Sequence, residues 1–120
     1  MTRVIIADPD PKSRNALFLW LLYKLGIDEI VQVSEGECLI EHLKLDIPDV
    51  VLMDWSLPDR PAPEFCEKLQ ERHPGLRWII LSIDAEVSKQ AMSYSRWFLQ
   101  KGSSPEQVFL LLQELINDIT

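Results

Sequence analysis

Four polar side chains follow runs of apolar residues, and their types suit the transfer of a phosphoryl group to a carboxylate. They are Asp8, Asp54, Ser82 and Lys101. Asp54 would attack phosphorus to form an acyl phosphate. A divalent cation held by Asp8 and Asp54 would neutralise the negative charge on the incoming phosphoryl oxygens. Lys101 would pair first with the acids and then with a phosphoryl oxygen, while the Ser82 hydroxyl would donate a hydrogen bond to another oxygen. The protein would contribute placement and electrostatics to this reaction.

Short runs of β-favouring residues precede these side chains and alternate with longer stretches at helical spacing. The alternation occurs five times and is typical of an α/β fold built on a parallel sheet. Most of the runs are continuously apolar, as expected for strands that helices cover on both faces. Ligands bind at the carboxyl ends of such strands, so we expect the polar side chains to share one edge. The predicted strands are 4–7, 30–33, 50–53, 78–81 and 97–100.

The predicted helices fill the gaps between these strands. Asp10 can cap the first helix and Pro11 suits its first position, while Gly26 marks its end. Ser104 is the predicted cap of the last helix. The predicted helices are 11–25, 36–45, 63–72, 85–95 and one that starts after Ser104. The fourth, 85–95, is the least amphipathic of them. The last helix carries its apolar face on Val108, Leu111, Leu112, Leu115, Ile116 and Ile119.

Composition bounds the classes of function. The 120 residues are 47% hydrophobic and 26% charged, which predicts one ordinary globular domain over residues 1–120. A formal charge of -7 disfavours direct binding of nucleic acid. The longest apolar run, 16–23, is far shorter than the about 20 residues that a membrane span needs. The chain opens on a predicted strand without room for a signal peptide, so we expect a cytoplasmic protein that does not contact a membrane.

Motifs of cofactor enzymes and metal centres are missing from the sequence. Neither GxGxxG nor GxxxxGK[ST] occurs, which disfavours a flavin or nucleotide enzyme. Cys38 and Cys66 lie apart from each other and from His42 and His73, without metal-ligand or redox spacing. We therefore expect buried, reduced thiols and a protein that is not an enzyme.

Four segments resemble the signature segments of response-regulator receiver domains, of the kind found in chemotaxis receivers. They occur in order on the predicted strands, so the resemblance spans essentially the whole chain. It implies a five-stranded, doubly wound parallel sheet of flavodoxin-like order 2-1-3-4-5 with five helices. It also implies that Asp54 accepts a phosphoryl group from a histidine kinase or phosphotransfer protein of a two-component phosphorelay. The segments are IIAD (5–8), VVLMDWSLP (50–58), ILS (80–82) and FLQK (98–101).

The same resemblance implies a metal site and a conformational switch. Mg²⁺ would be bound by Asp8, Asp54 and the backbone carbonyl of Ser56. On phosphorylation, Ser82 would move toward the phosphoryl group and Phe98 would turn into the vacated space. The face formed by the fourth helix, fifth strand and fifth helix would then change shape and control an output domain or target protein. A homodimer is a further option.

Three positions depart from the family pattern. Pro9 stands where the family usually carries the second acid of its pair, so the affinity for Mg²⁺ should fall. Asp10 could supply a ligand from one residue further on, or it could serve only as the helix cap. Ile83 replaces a small residue and could obstruct phosphodonors, while Gly102 replaces a proline and leaves Lys101 less constrained. These departures keep open a second hypothesis, a pseudo-receiver that acts as a phosphorylation-independent protein–protein interaction module.

Overall fold

The computed structural model describes residues 2–119, apart from the side chains of Pro105 and Ile119. Five strands alternate with helices along these residues. The strands are β1 (Arg3–Ala7), β2 (Glu29–Val33), β3 (Val50–Asp54), β4 (Trp78–Ser82) and β5 (Trp97–Gln100). The helices are α1 (Pro11–Leu25), α2 (Gly36–Leu45), α3 (Ala62–Arg72), α4 (Ser88–Ala91, after a 3₁₀ turn at Ala85–Val87) and α5 (Pro105–Ile119).

All five strands are parallel and form one sheet in the order β2-β1-β3-β4-β5. The predicted fold class is therefore confirmed. The strand order reverses between β1 and β3, and the register aligns Ala7 with Met53 there. Asp8 and Asp54 directly follow this aligned pair, so both acids lie at the switch point where open α/β sheets bind ligands.

Helices cover both faces of the sheet because alternate strand residues point to opposite sides. One core layer packs α1 and α5 on strand residues such as Ile6, Leu52 and Ile79. The other layer packs α2, α3 and α4 on residues such as Ile5 and Met53. The apolar face predicted for the last helix supplies two of the most buried side chains, Leu112 (2% exposed) and Leu115 (1% exposed). The side chain of Ile119, also predicted on this face, lies outside the described part of the chain.

The helix starts follow the predicted caps. The Asp10 carboxylate accepts the Lys12 N–H at 3.1 Å at the start of α1. At the start of α5, Ser104 Oγ accepts the Gln107 N–H at 3.3 Å and the Gln107 side chain accepts the Ser104 N–H at 3.2 Å. This reciprocal pair is a capping box, which satisfies two backbone donors at once. Side chains local in sequence therefore fix where both helices of one layer begin.

The fourth helix is shorter than predicted, which corrects the expected range 85–95. A 3₁₀ turn leads into a single α turn that ends at Ala91, the buried apolar residue of the segment. Beyond it, the Tyr94 carbonyl accepts the Trp78 Nε1–H at 2.7 Å and the Ser95 hydroxyl donates to the Trp78 carbonyl. The segment offers the core little apolar surface, so these bonds to β4 prevail over continued helix.

Two expectations drawn from composition have different outcomes. Burial raises the pKa of the Cys66 thiol to about 12, as befits an inert, reduced core residue. The expectation that Cys38 is buried was wrong, because Cys38 lies on the outer side of α2 next to the core residue Leu39. Among residues 2–119, no helix combines the length and the hydropathy of a membrane span.

Gly26→Ala is expected to lower the free energy of unfolding by about 1 kcal/mol, because Gly26 ends α1 with φ 67°. A Cβ on Gly26 would meet no atom within 4 Å, so the cost is conformational rather than steric. Gly75→Ala is the matched control, since its Cβ also meets nothing and its φ is not in the left-handed region. Urea denaturation should show little change for Gly75→Ala. Equal stabilities of the two variants would contradict the prediction.

Candidate functional site

The side chains of Asp8, Asp54 and Lys101 meet at the carboxyl edge of the sheet. Asp8 is 0% exposed and Asp54 is 4% exposed. Lys101 Nζ lies 2.8 Å from Asp8 Oδ2 and also contacts Asp54 Oδ2. Ser82 is buried at the end of β4, and its carbonyl accepts the Lys101 N–H at 2.8 Å. Three different strand ends thus supply an ion-paired cluster, with a buried hydroxyl on the neighbouring strand.

Short turns after the strands orient the side chains of the site. The Asp10 N–H donates to Asp8 Oδ1 at 2.9 Å, and the Ser56 N–H donates to Asp54 Oδ1 at 2.7 Å. At the end of β4, Ser82 Oγ likewise accepts the N–H of the residue two positions on, at 3.0 Å. Side chains of Asp and Ser that bond the backbone two residues later form Asx and Ser turns. Each orientation is therefore set locally, by the residue that follows the strand end.

The Ser56 side chain is a part of the site that sequence reasoning missed. Only its backbone carbonyl was expected there, whereas Ser56 Oγ also donates to Asp54 Oδ1 at 2.5 Å. Asp54 therefore has one oxygen held by Ser56 and the other in contact with Lys101. The available signal was a serine two residues after a strand-end aspartate, because serine donates from both its N–H and its hydroxyl.

Two buried acids face one amine in this cluster. Burial, the largest single effect, lowers the pKa of Lys101, but the close carboxylates of Asp54 and Asp8 together raise it above its ordinary value. The amine is therefore protonated at neutral pH. Asp8 Oδ2 accepts no well-directed hydrogen bond within residues 2–119, and its contact with Lys101 is an ion pair. An uncompensated negative charge remains, which favours a further cation.

The donor set suits a hard cation that takes few protein ligands. Mg²⁺ binds through one or two carboxylates and keeps several waters, and Asp8 and Asp54 supply two such groups. Pro9 brings no side-chain oxygen, and the exposed Asp10 carboxylate accepts the Lys12 N–H as a helix cap. Among the described side chains, no three acids, histidines or cysteines cluster as metal ligands. The residues therefore fit a weakly held Mg²⁺ better than a fully caged one.

Ser82 and Phe98 point to the same layer of the fold. In the register of β4 and β5, Ile80 pairs with Phe98 and Ser82 pairs with Gln100. Because side chains alternate along a strand, Ile80, Ser82 and Phe98 share the face covered by α2, α3 and α4. Phe98 is half-buried and packs against the core cluster of that face. This shared face is the geometric condition for coupled motion of the serine and the aromatic ring.

Trp55 links the phosphoacceptor candidate to the segment after α4. It follows Asp54 directly, and its ring centroid lies 6.4 Å from that of Tyr94, tilted by 33°. Tyr94 is in turn bound to the rest of the protein, because its carbonyl accepts Trp78 Nε1–H at 2.7 Å and Gln70 Nε2–H at 2.9 Å. A displacement at Asp54 therefore has a direct contact route to the connection between α4 and β5.

Two of the departures from the family pattern lie at the rim of the site. Ile83 is 77% exposed and lines a groove of about 540 Å³ with Leu17 and Trp20, on the side of α1. Gly102 has φ 90°, in the left-handed region. Lys101 nevertheless reaches both acids, because its backbone is bonded to β4. Obstruction of phosphodonors by Ile83 stays a prediction.

Comparison with known proteins points in the same direction as this geometry. A family model described as the response regulator receiver domain matches residues 4–113. The chain is 33% identical over 116 residues to the luminescence regulatory protein LuxO of Vibrio campbellii, covering 92% of this chain and 25% of LuxO. It is 25% identical over 116 residues to the transcriptional activator ExaE of Pseudomonas putida, covering 94% of this chain and 54% of ExaE. The chain thus spans a quarter to about half of these relatives.

Solved structures of low identity share the fold. A CheY-like receiver domain protein from Methanospirillum hungatei has a TM-score of 0.83 at 18% identity, with 99% of this chain and 96% of that chain covered. The response regulator TrrA of Thermotoga maritima, solved with Mg²⁺ and BeF, has a TM-score of 0.81 at 18% identity, with 96% and 99% covered. The beryllofluoride-activated NtrC4 receiver domain, solved as a dimer, has a TM-score of 0.84 at 19% identity, with 100% of both chains covered.

Proposed function

Because this chain belongs to the response regulator receiver domain family, we propose that it is a phosphoacceptor switch of a two-component phosphorelay, and not an enzyme. The observation that carries the proposal is the buried contact of Lys101 with Asp8 and Asp54 at the switch point of the sheet. A phosphoryl group brings negative oxygens that need hydrogen-bond donors and positive charge. The Lys101 amine, held beside both acids, is in a position to supply them.

Asp54 acts as the nucleophile. One carboxylate oxygen forms a bond to the phosphorus of a phosphodonor, the bond from phosphorus to the donor breaks, and its electron pair leaves with the donor. The donor is a phosphohistidine of a histidine kinase or phosphotransfer protein, or a small acyl phosphate. The product is an acyl phosphate on Asp54. The two bonds from Ser56 orient the carboxylate for this attack.

Lys101 and Ser82 hold the transferred group. The protonated amine of Lys101 moves from the carboxylate of Asp54 to a phosphoryl oxygen, which keeps the charges paired. Ser82 Oγ accepts the Asp84 N–H, so its own hydrogen can be donated to a second phosphoryl oxygen. Neither step needs a large rearrangement, because Lys101 already contacts Asp54 and Ser82 lies on the next strand.

The metal ion proposed here is Mg²⁺, and TrrA, which shares the fold, was solved with Mg²⁺ and BeF. Asp8, Asp54 and the backbone carbonyl of Ser56 would hold it. When bound, it supplies positive charge that offsets the charge on the phosphoryl oxygens. Asp10 would stay a helix cap, since its carboxylate is engaged with the Lys12 N–H.

Phosphorylation is proposed to change the face formed by α4, β5 and α5. Ser82 and Phe98 lie on the same side of the sheet. Movement of Ser82 toward the phosphoryl group leaves space there, and rotation of the Phe98 ring into this space alters the face formed by α4, β5 and α5. The altered face controls an output domain or a target protein, in keeping with relatives that are longer than this chain. Self-association, as in the NtrC4 receiver dimer, and a cytoplasmic location remain predictions.

Acetyl phosphate with Mg²⁺ is expected to add one phosphoryl group to the chain and to change the fluorescence of Trp55. Intact-mass spectrometry measures the first effect, and emission spectra measure the second. Trp55→Phe assigns the fluorescence signal, because the chain has 4 tryptophans. Acetate in place of acetyl phosphate is the control. Absence of any mass increase, also with a purified phosphohistidine donor, would reject the proposal.

A second candidate function is a pseudo-receiver that binds a partner through the same α4, β5 and α5 face without phosphorylation. The absence of a side-chain oxygen at Pro9 favours it, since only two acids remain in the described metal site. This candidate predicts that the chain binds its partner equally well before and after treatment with acetyl phosphate or beryllofluoride. A change in affinity on treatment would exclude it.

A further inference from the structure

An apolar patch lies on the outer side of α1 and α5, and its Trp20 also borders the groove at the rim of the site. Tyr23 is 75% exposed and Leu110 is 63% exposed. Beside them, the rings of Trp20 and Phe109 contact each other across the two helices, with centroids 6.5 Å apart and ring planes tilted by 47°. Leu19, 49% exposed, extends the patch along α1. We call these five residues the α1–α5 patch.

The α1–α5 patch is distinct from the core face of the same helices. Leu17, Leu21, Leu112 and Leu115 already bury that face against the sheet. Trp20 and Phe109 contact each other across the two helices, but the exposed side chains of Leu19, Tyr23 and Leu110 take no part in the packing against the sheet. Large apolar residues grouped on a surface mark a site of association, because water contact with them is unfavourable.

Opposite charges lie at opposite ends of this patch. Lys24 is in the last turn of α1, and Glu106 is in the first turn of α5. A groove of about 580 Å³ between the helices is lined by both of them, together with Trp20, Phe109 and Leu110. The two helices run in the same direction, because each follows a strand of one parallel sheet. Neither Lys24 nor Glu106 forms an ion pair with another described residue.

We propose that a second copy of this chain covers the α1–α5 patch about a two-fold axis. A two-fold axis across the patch reverses the helix direction, so Lys24 of each copy meets Glu106 of the other. The patch is thus self-complementary in charge, with an apolar centre. A formal charge of -7 on each chain makes two copies repel in general, and a charge-balanced surface is where they can associate. This dimer does not depend on phosphorylation of Asp54.

Sedimentation velocity over a range of protein concentrations tests the proposal, without Mg²⁺ or phosphodonor. The unmodified chain is expected to dimerise. Lys24→Glu and Glu106→Lys each place like charges together at both ends of the interface, and each should raise the dimer Kd by about ten-fold. A mixture of the two variants should recover the original affinity, because every contact in the mixed dimer again joins opposite charges.

The mixture is the decisive measurement, since only a two-fold interface that joins these two residues predicts its recovery. Lys44→Glu is the matched control, because Lys44 is exposed on α2 on the opposite face of the sheet. Circular dichroism verifies that all variants are folded. A chain that is monomeric at every concentration would overturn the proposal and indicate that another domain or protein covers the patch. A dimer unaffected by either single reversal, or not restored by mixing, would overturn it as well.

Discussion

Asp54→Asn is expected to abolish phosphate incorporation from acetyl phosphate or a phosphohistidine donor. The amide keeps the size of the carboxylate and can still accept from Ser56, so the local fold should persist. It lacks the negative oxygen that attacks phosphorus, so no acyl phosphate forms. Intact-mass spectrometry should show an unmodified chain under conditions that modify the original one.

Asp59→Asn is the matched control for this experiment. Asp59 lies in the loop after β3, and its side chain is 86% exposed. Its substitution should leave the extent of phosphorylation unchanged. If Asp54→Asn were modified as fast as the unmodified chain, the phosphoacceptor would be a different residue, and the proposed role of Lys101 would fall with it.

Much of the fold could be predicted because the sheet is covered on both faces. Short apolar runs of about four residues, such as 50–53, are typical of strands buried on both faces, and caps such as Asp10 and Ser104 set helix starts by local bonds. The predicted length of the fourth helix was wrong because that length depends on contacts between residues distant in sequence. Ser95 and Tyr94 bond to Trp78 on β4 instead of extending the helix.

The candidate site could be located because parallel strands end at one edge, whatever their separation along the chain. Its finer contacts could not be. That Ser56 Oγ bonds to Asp54 depends on the turn that the chain takes after β3. The contact of Trp55 with Tyr94 depends on the premature end of α4, which sequence patterning did not show. Patterning predicts which strand ends meet, and tertiary contacts decide which side chains touch.

Removal of the Lys101 charge is expected to destabilise the domain more than the other substitutions considered for stability. Lys101→Met keeps much of the length of the side chain but leaves the buried Asp8 and Asp54 without a counter-charge. Loss of one member of a buried ion pair leaves an uncompensated charge in a poorly polarisable environment. We expect the free energy of unfolding to fall by about 3 kcal/mol, as measured by urea denaturation at neutral pH. Lys89→Met, at an exposed site, should change it by less than about 0.5 kcal/mol.

A double-mutant cycle separates the charge effect from lost packing. In the Asp54→Asn background one of the two buried charges is already removed, so Lys101→Met should destabilise the protein less, by about 1 to 2 kcal/mol less than in the unmodified chain. Packing lost with the lysine stem would be the same in both backgrounds. Equal losses in the two backgrounds would therefore show that Lys101 does not interact with Asp54 in solution, and only its ion pair with Asp8 would remain to hold the lysine at the site.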